Sequence, residues 1–173
     1  MLVDQGTEMV KIRKYKGSDY KVVVDLINEF NNYIAATDSR GHCRQFSNRD
    51  EATAYFDQGL KDVAEKEGII YVAETAGKIT GFVLGIIDRH NNDRLYTLSH
   101  HSRDHGWVGE LYIKPEYRKQ GIARELIETI STYFKANGCV NIRLLVMADN
   151  TLARDAYEKM GFDERDLELA KEL

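Results

Sequence analysis

Arg118-Lys119-Gln120-Gly121-Ile122-Ala123 decides the reading of this chain. It follows the run Trp107 to Lys114, which reads as a strand that Pro115 stops. It opens the stretch Gly121 to Asn137, where Ile122, Leu126, Ile127, Ile130 and Phe134 recur at helical spacing. Backbone N–H groups at a helix start have no intrahelical partner, and the helix dipole favours an anion there. Gly121 lacks a Cβ, so a phosphate can approach the backbone closely. Arg118 and Lys119 add positive charge. The six residues therefore read as an anion cradle. It is not a Walker loop, because no Gly-Lys-Ser/Thr follows, and it lacks the second and third glycines of a dinucleotide fingerprint.

Working outward, the downstream half is predicted to continue with a strand over Val140 to Met147 and a helix over Thr151 to Met160. Asn150 can cap that helix and Gly161 ends it. A last strand is predicted from Arg165 to Leu173. Upstream, Ile69 to Glu74 and Lys78 to Ile87 are β-rich runs joined by Thr75, Ala76 and Gly77, an antiparallel hairpin. Between hairpin and cradle, Asp88 to Gly106 is polar and long, as binding loops often are.

At the N-terminal side, a strand is expected over Met9 to Tyr15, with Val10 and Ile12 facing one way. Ser18 is the expected cap of a first helix striped by Val23, Leu26, Ile27, Phe30 and Ile34. A second helix is expected from Ser47, boxed by Asp50 and striped by Phe56, Leu60 and Val63. The predicted order is β-α-α-β-β-β-α-β-α-β. With no internal repeat and no Pro-, Gly- or Ser-rich linker, one mixed α/β domain over residues 1–173 is expected.

Composition narrows the function classes. At 43% hydrophobic and 30% charged residues the chain is ordinary for a globular protein. No apolar run reaches the ~18 residues of a membrane span, and Met1 to Lys14 lacks the apolar centre of a signal peptide, so the expected location is cytoplasmic. A net charge of −4 without a long basic run argues against nucleic acid as a partner. Cys43 and Cys139 show no metal-ligand spacing and are expected to be reduced thiols.

The run Glu110-Leu111-Tyr112-Ile113-Lys114-Pro115-Glu116-Tyr117-Arg118-Lys119-Gln120-Gly121-Ile122-Ala123 resembles the acetyl-CoA-binding motif of the GNAT N-acetyltransferase superfamily: an apolar strand, Pro, then Arg/Gln-x-x-Gly-x-Gly/Ala. Asn150-x-x-Ala153-x-x-x-Tyr157-Glu158-Lys159-Met160-Gly161-Phe162 is similar to the family's second motif, and Ala73 to Phe82 to its hairpin. The resemblance implies the GNAT acyl-CoA-transferase fold: a central mixed, mostly antiparallel sheet flanked by about four helices. It implies acetyl-CoA as cosubstrate, with the pyrophosphate on the backbone amides of Arg118, Lys119, Gln120, Gly121, Ile122 and Ala123. The pantetheine arm would lie in a splayed gap between the fourth and fifth strands. There it would pair with the backbone of Leu111, Tyr112 and Ile113. Asn150 would bond to it, a role compatible with capping a helix.

The resemblance also implies a mechanism. A free alkyl amine has a pKa near ~10.4 and must lose a proton before it attacks the thioester. Glu110 is the candidate base, with Gly109 beside it offering no second carboxylate; the alternative is that Glu110 pairs with a surface base. A backbone N–H near Leu111 or Tyr112 would serve the oxyanion of the tetrahedral intermediate. Tyr157 stands where the family places its general acid for the departing CoA thiolate; the alternative is a core tyrosine. Direct attack implies no cysteine nucleophile. His90, His100, His101 and His105 cluster in or beside the long loop, but their spacing fits no zinc pattern, so no metal is expected. They are expected to be solvated, with some of them near the acceptor.

The function expected is transfer of an acetyl group from acetyl-CoA to a primary amine, small molecule or peptide. The alternatives are an acetyl-CoA-binding regulatory module without transfer, or a protein lysine or N-terminal acetyltransferase. Tyr33, Asp38, Tyr55, Tyr96 and Trp107 are candidate lining residues of the acceptor site. A homodimer paired through the terminal strand is a further expectation.

Overall fold

The computed structural model describes residues 9–89, 103–166 and 171. Strand β1 is Val10–Lys14, helix α1 Tyr20–Thr37, helix α2 Arg49–Glu65, strand β2 Ile69–Thr75, strand β3 Lys78–Asp88 and strand β4 His105–Ile113. Helix α3 is Ile122–Ala136, strand β5 Ile142–Leu144 and helix α4 Thr151–Lys159. The strands form one five-stranded sheet in chain order; β1 to β4 pair antiparallel, and β4 and β5 pair parallel. This is the mixed, mostly antiparallel sheet with four helices that the sequence led us to expect. Most of the last predicted strand lies outside the described residues, and Arg165 and Asp166 carry no regular structure.

Both faces of the sheet are covered, so the central strands are apolar on both sides. On one face Val23, Val24, Leu26 and Ile27 of α1 and Ala52 and Phe56 of α2 pack on Val72, Phe82, Leu84 and Tyr112. On the other face the whole predicted stripe of α3 is buried against Ala73, Val83, Ile87 and Val108. Val10 and Ile12 both pack on that second face, as their alternation requires. The β2–β3 hairpin closes through Ala76 and Gly77 alone, both at positive φ, which matches the twist of a two-residue turn.

Two helix starts are corrected by the structure. Asp19, not Ser18, organises the entry to α1: its Oδ2 accepts from the Lys16 N–H at 2.8 Å and from Arg13 at 2.7 Å. The longer reach to a cation favours the carboxylate over a hydroxyl here, and Arg13 holds the Asp19 carboxyl below the usual range. At α2 the cap is Asn48, not Ser47, and Asp50 closes no box. Asn48 Oδ1 accepts from Glu51 N–H, and the Glu51 carboxylate accepts from Ser47 N–H. Strand β5 is also shorter than Val140 to Met147, for a reason that matters to the site.

Helix α3 lies close on β4. An ideal Cβ at Gly106 would stand 2.1 Å from Cδ2 of Phe134, in a ring that is fully buried. Gly106→Ala is therefore expected to destabilise the fold by about 1–3 kcal/mol through overpacking. Urea unfolding measures this; an unchanged midpoint would mean that α3 stands farther from the sheet.

Candidate active site

The cradle forms by local geometry. A 3-10 turn at Pro115–Tyr117 ends β4, and Gly121 caps α3 in the left-handed region at φ 84°. Lys119 also has positive φ, 62°. These two reversals turn the chain so that the backbone N–H groups of Lys119, Gln120, Gly121, Ile122, Ala123 and Arg124 have no hydrogen-bond partner among the described residues. The first bond into the helix is Glu125 N–H to Gly121 C=O, at 3.1 Å. Gly121 is exposed, and nothing stands within 4 Å of where its Cβ would be. Consecutive free amides at a helix start suit a diphosphate.

The side chain of Arg118 is not part of this cradle. It turns back, donates from Nε to the Ile113 carbonyl at 2.9 Å, and lays its guanidinium over the rings of Tyr33 and Tyr112 at 4.7 and 5.5 Å. Stacking on two rings and a carbonyl satisfies the cation locally. Lys119 and Gln120 are exposed at the turn.

Beside the cradle the sheet opens. Strand β5 pairs with β4 only at Gly106–Ile142, Trp107–Arg143 and Val108–Leu144. Past Leu144 it leaves the sheet, while β4 continues to Ile113. From Gly109 to Ile113, β4 thus has β3 on one side and no strand on the other among the described residues. A register shift marks the start of this gap. Leu84 faces Glu110 and Gly85 faces Val108, so Gly109 is an extra residue on β4. A bulge there bends the strand away from its neighbour. The backbone of Leu111, Tyr112 and Ile113 is an open edge of the kind an extended amide chain can pair with.

Glu110 lies at the deep end of that edge. It is 8% exposed, its Oε1 accepts from the Tyr55 hydroxyl at 2.6 Å, and its Oε2 is buried without a hydrogen-bond partner. Burial pushes its carboxyl above the ordinary range, the Tyr55 bond opposes this, and Asp62 adds to it. Among the described residues it is not paired with a surface base.

Asn150 starts α4 and is buried. Its Oδ1 accepts from Ala153 N–H at 3.2 Å, the helix cap, and from the Tyr33 hydroxyl at 2.9 Å. Tyr157, two turns on, packs edge-on against Phe162, ring centroids 5.6 Å apart. Its hydroxyl has no hydrogen-bond partner among the described residues. Burial and, to a lesser degree, nearby Tyr33 push its pKa up to about 12.

The other candidates separate. Tyr33 and Tyr55 bond to Asn150 and Glu110, which spacing alone did not reveal. Asp38 instead braces the α1–α2 loop, accepting from the N–H groups of Arg40 and Cys43. Trp107 is half-buried on β4 opposite Ile86 and Arg143. Tyr96, His90, His100 and His101 lie outside the described residues. His105 is not in solvent: it opens β4, is buried, and places Nε2 3.3 Å from Asp88. Among the described residues no three metal-binding side chains come together. Both cysteines are free, and burial pushes both thiols up, away from the thiolate form. No helix among the described residues is long and apolar enough to cross a membrane.

A sheet that parts beside a helix start lined with free amides has the geometry to suit a phosphate-bearing, extended ligand. The chain belongs to the acetyltransferase (GNAT) family, whose model matches residues 33–162. It is 33% identical over 98 residues to an acetyltransferase of Sodalis glossinidius; the match spans 57% of this chain and 59% of that protein's length. Among solved structures it resembles the aminoglycoside N-acetyltransferase AAC(6')-Iy in complex with CoA, at TM-score 0.72 and 19% identity over 99% of both chains. It also resembles glucosamine-6-phosphate N-acetyltransferase from Arabidopsis thaliana, at TM-score 0.64 and 18% identity over 95% of this chain and 99% of that one. At these identities the two likenesses speak for the fold.

Proposed function

We propose that this protein is an N-acetyltransferase that moves an acetyl group from acetyl-CoA to a primary amine by direct attack. One observation carries the reading: the free amides of Lys119 to Arg124 follow in the chain on the open β4 edge, and that same stretch of β4 carries Glu110 with its unpartnered oxygen. The residues fit acetyl-CoA by charge and by shape. Arg118 N–H is taken by the Pro115 carbonyl at 3.2 Å, so the amides from Lys119 to Ala123 would hold the pyrophosphate, and Leu111 to Ile113, with Asn150, would hold the pantetheine. When bound, acetyl-CoA supplies an activated acyl group with a thiolate leaving group.

The chain's own groups do the rest. Glu110, buried and raised in pKa, takes the proton that the acceptor amine must lose. The Leu111 N–H, which the register turns away from β3, donates to the thioester oxygen as it gains charge, a contact worth about 3 kcal/mol. Tyr157, protonated at neutral pH, donates to the departing sulfur. A small-molecule amine is the favoured acceptor. A structural neighbour, AAC(6')-Iy, is known with a bisubstrate analogue, CoA-S-monomethyl-acetylneamine, at TM-score 0.68 and 19% identity over 95% of this chain and 99% of that one.

Calorimetric titration with acetyl-CoA and CoA tests the reading first. Saturable binding is expected in the micromolar range, followed by thiol release with at least one of a polyamine, an aminoglycoside, an amino acid and a lysine peptide. No binding by the folded protein overturns it. Binding without release from any of the four favours a regulatory module. Release with the lysine peptide alone favours a protein acetyltransferase.

A further inference from the structure

Tyr55 of α2 and Glu110 of β4 lie 55 positions apart and meet through the phenol hydroxyl and Oε1 at 2.6 Å. A phenol held only for packing would be buried, yet Tyr55 is 44% exposed. Its ring belongs to the surface, stacked on Phe46 of the α1–α2 loop with centroids 5.6 Å apart, and only its hydroxyl reaches inward. The hydroxyl takes one carboxylate oxygen and leaves the other buried with no donor. An unsatisfied buried oxygen is costly to stability, so its retention calls for a use.

We propose that Tyr55 is a positioning residue: by donating to Oε1 it fixes the Glu110 carboxylate and reserves Oε2 as the atom that takes the proton of the acceptor amine. This rests on the proposed function, in which Glu110 is the base. The step balances. The ammonium gives one proton to Oε2, the freed lone pair forms the C–N bond, and the C–S bond breaks. The sulfur takes the Tyr157 proton, the phenolate regains the proton that the new amide nitrogen sheds, and Oε2 returns its own to solvent.

The charged and titratable surroundings give the direction of the test. Tyr55 and Asp62 approach Glu110 from α2; Tyr112 is on its own strand, with Arg118 over its ring; Arg143 stands on β5 opposite Trp107. Of the contributions to Glu110, the Tyr55 bond lowers its pKa, whereas burial and Asp62 raise it. Without the phenol the carboxyl must titrate at higher pH.

The experiment follows Glu110 by carbon NMR in protein labelled at the glutamate carboxyl, its line identified by its loss in Glu110→Gln. In Tyr55→Phe the midpoint is expected to move upward. At pH 7, kcat/KM for the most active amine of the panel should fall on the order of tenfold, the worth of a hydrogen bond to a charged group. The affinity for CoA should hold. Tyr20→Phe is the control: it removes a phenol from a carboxylate at 2.7 Å, on Asp57 of the same helix α2, and should change neither. An unmoved midpoint in folded Tyr55→Phe overturns the proposal, as does a moved midpoint with unchanged kcat/KM. Glu110→Gln with full turnover sinks the base reading itself. An inactive Glu110→Gln beside an unaltered Tyr55→Phe sinks the role of Tyr55 alone.

Discussion

Gly121→Glu is expected to remove CoA binding from the measurable range. Two effects add at this position. Gly121 sits at φ 84°, where a side chain costs about 1–2 kcal/mol. The larger effect is charge. A carboxylate placed beside the free amides of Lys119 to Arg124 would meet the pyrophosphate at close range. Two like charges ~4 Å apart near a protein surface repel by about 4 kcal/mol, roughly a thousandfold in affinity. Gly121→Ala separates the effects. Nothing lies within 4 Å of its Cβ, so it carries the strain alone and should bind CoA within about tenfold of the unaltered chain. Calorimetry on both variants, with thermal unfolding to confirm the fold, checks this. Unchanged CoA affinity in Gly121→Glu would remove the cradle from the cofactor site.

Tyr157→Phe should cut kcat by about 10²–10⁴-fold, the usual worth of a positioned general acid. The ring stays, so its edge-on contact with Phe162 and the thermal stability should stay with it. CoA affinity should not change, because the hydroxyl makes no hydrogen bond that positions the cradle or Asn150. The pH dependence follows from the sign of the shift. A phenol whose pKa is pushed up to about 12 keeps its proton as pH rises, so Tyr157 should impose no alkaline limb below that value. Glu110, raised above the carboxylate range and needed ionised, should set an acidic limb. Thiol release measured across pH, with the absence of a pre-steady-state burst to show that transfer limits turnover, reads both. A rate untouched in Tyr157→Phe under those conditions removes it as the acid.

Much of the fold is legible in the sequence. Helix α3 was marked by five apolar residues at helical spacing, and all five are buried. The hairpin and the Asn150 cap are fixed by neighbours a few residues apart. Sequence and structure differ where two local candidates compete. Ser18 and Asp19, or Ser47 and Asn48, are equivalent caps by type. The choice fell to Arg13 in one case and to Glu51 in the other. Leu145 and Val146 are as apolar as a strand requires and predict a longer β5 than the structure forms. Leu145 is 78% exposed, at the point where the chain leaves the sheet.

The sequence by itself determined the elements, their apolar faces and the cradle, since periodicity, caps and a left-handed glycine act within a turn or two of chain. The tertiary structure alone decided which side chains meet at the site. Tyr33 reaches Asn150 across 117 positions, and Tyr55 reaches Glu110 across 55. It also decided that Arg118 turns from the cradle to Ile113 and two rings, and that β4 keeps an open edge past Val108. Contacts between distant segments depend on how the helices pack on the two faces of the sheet, and no local pattern encodes that packing.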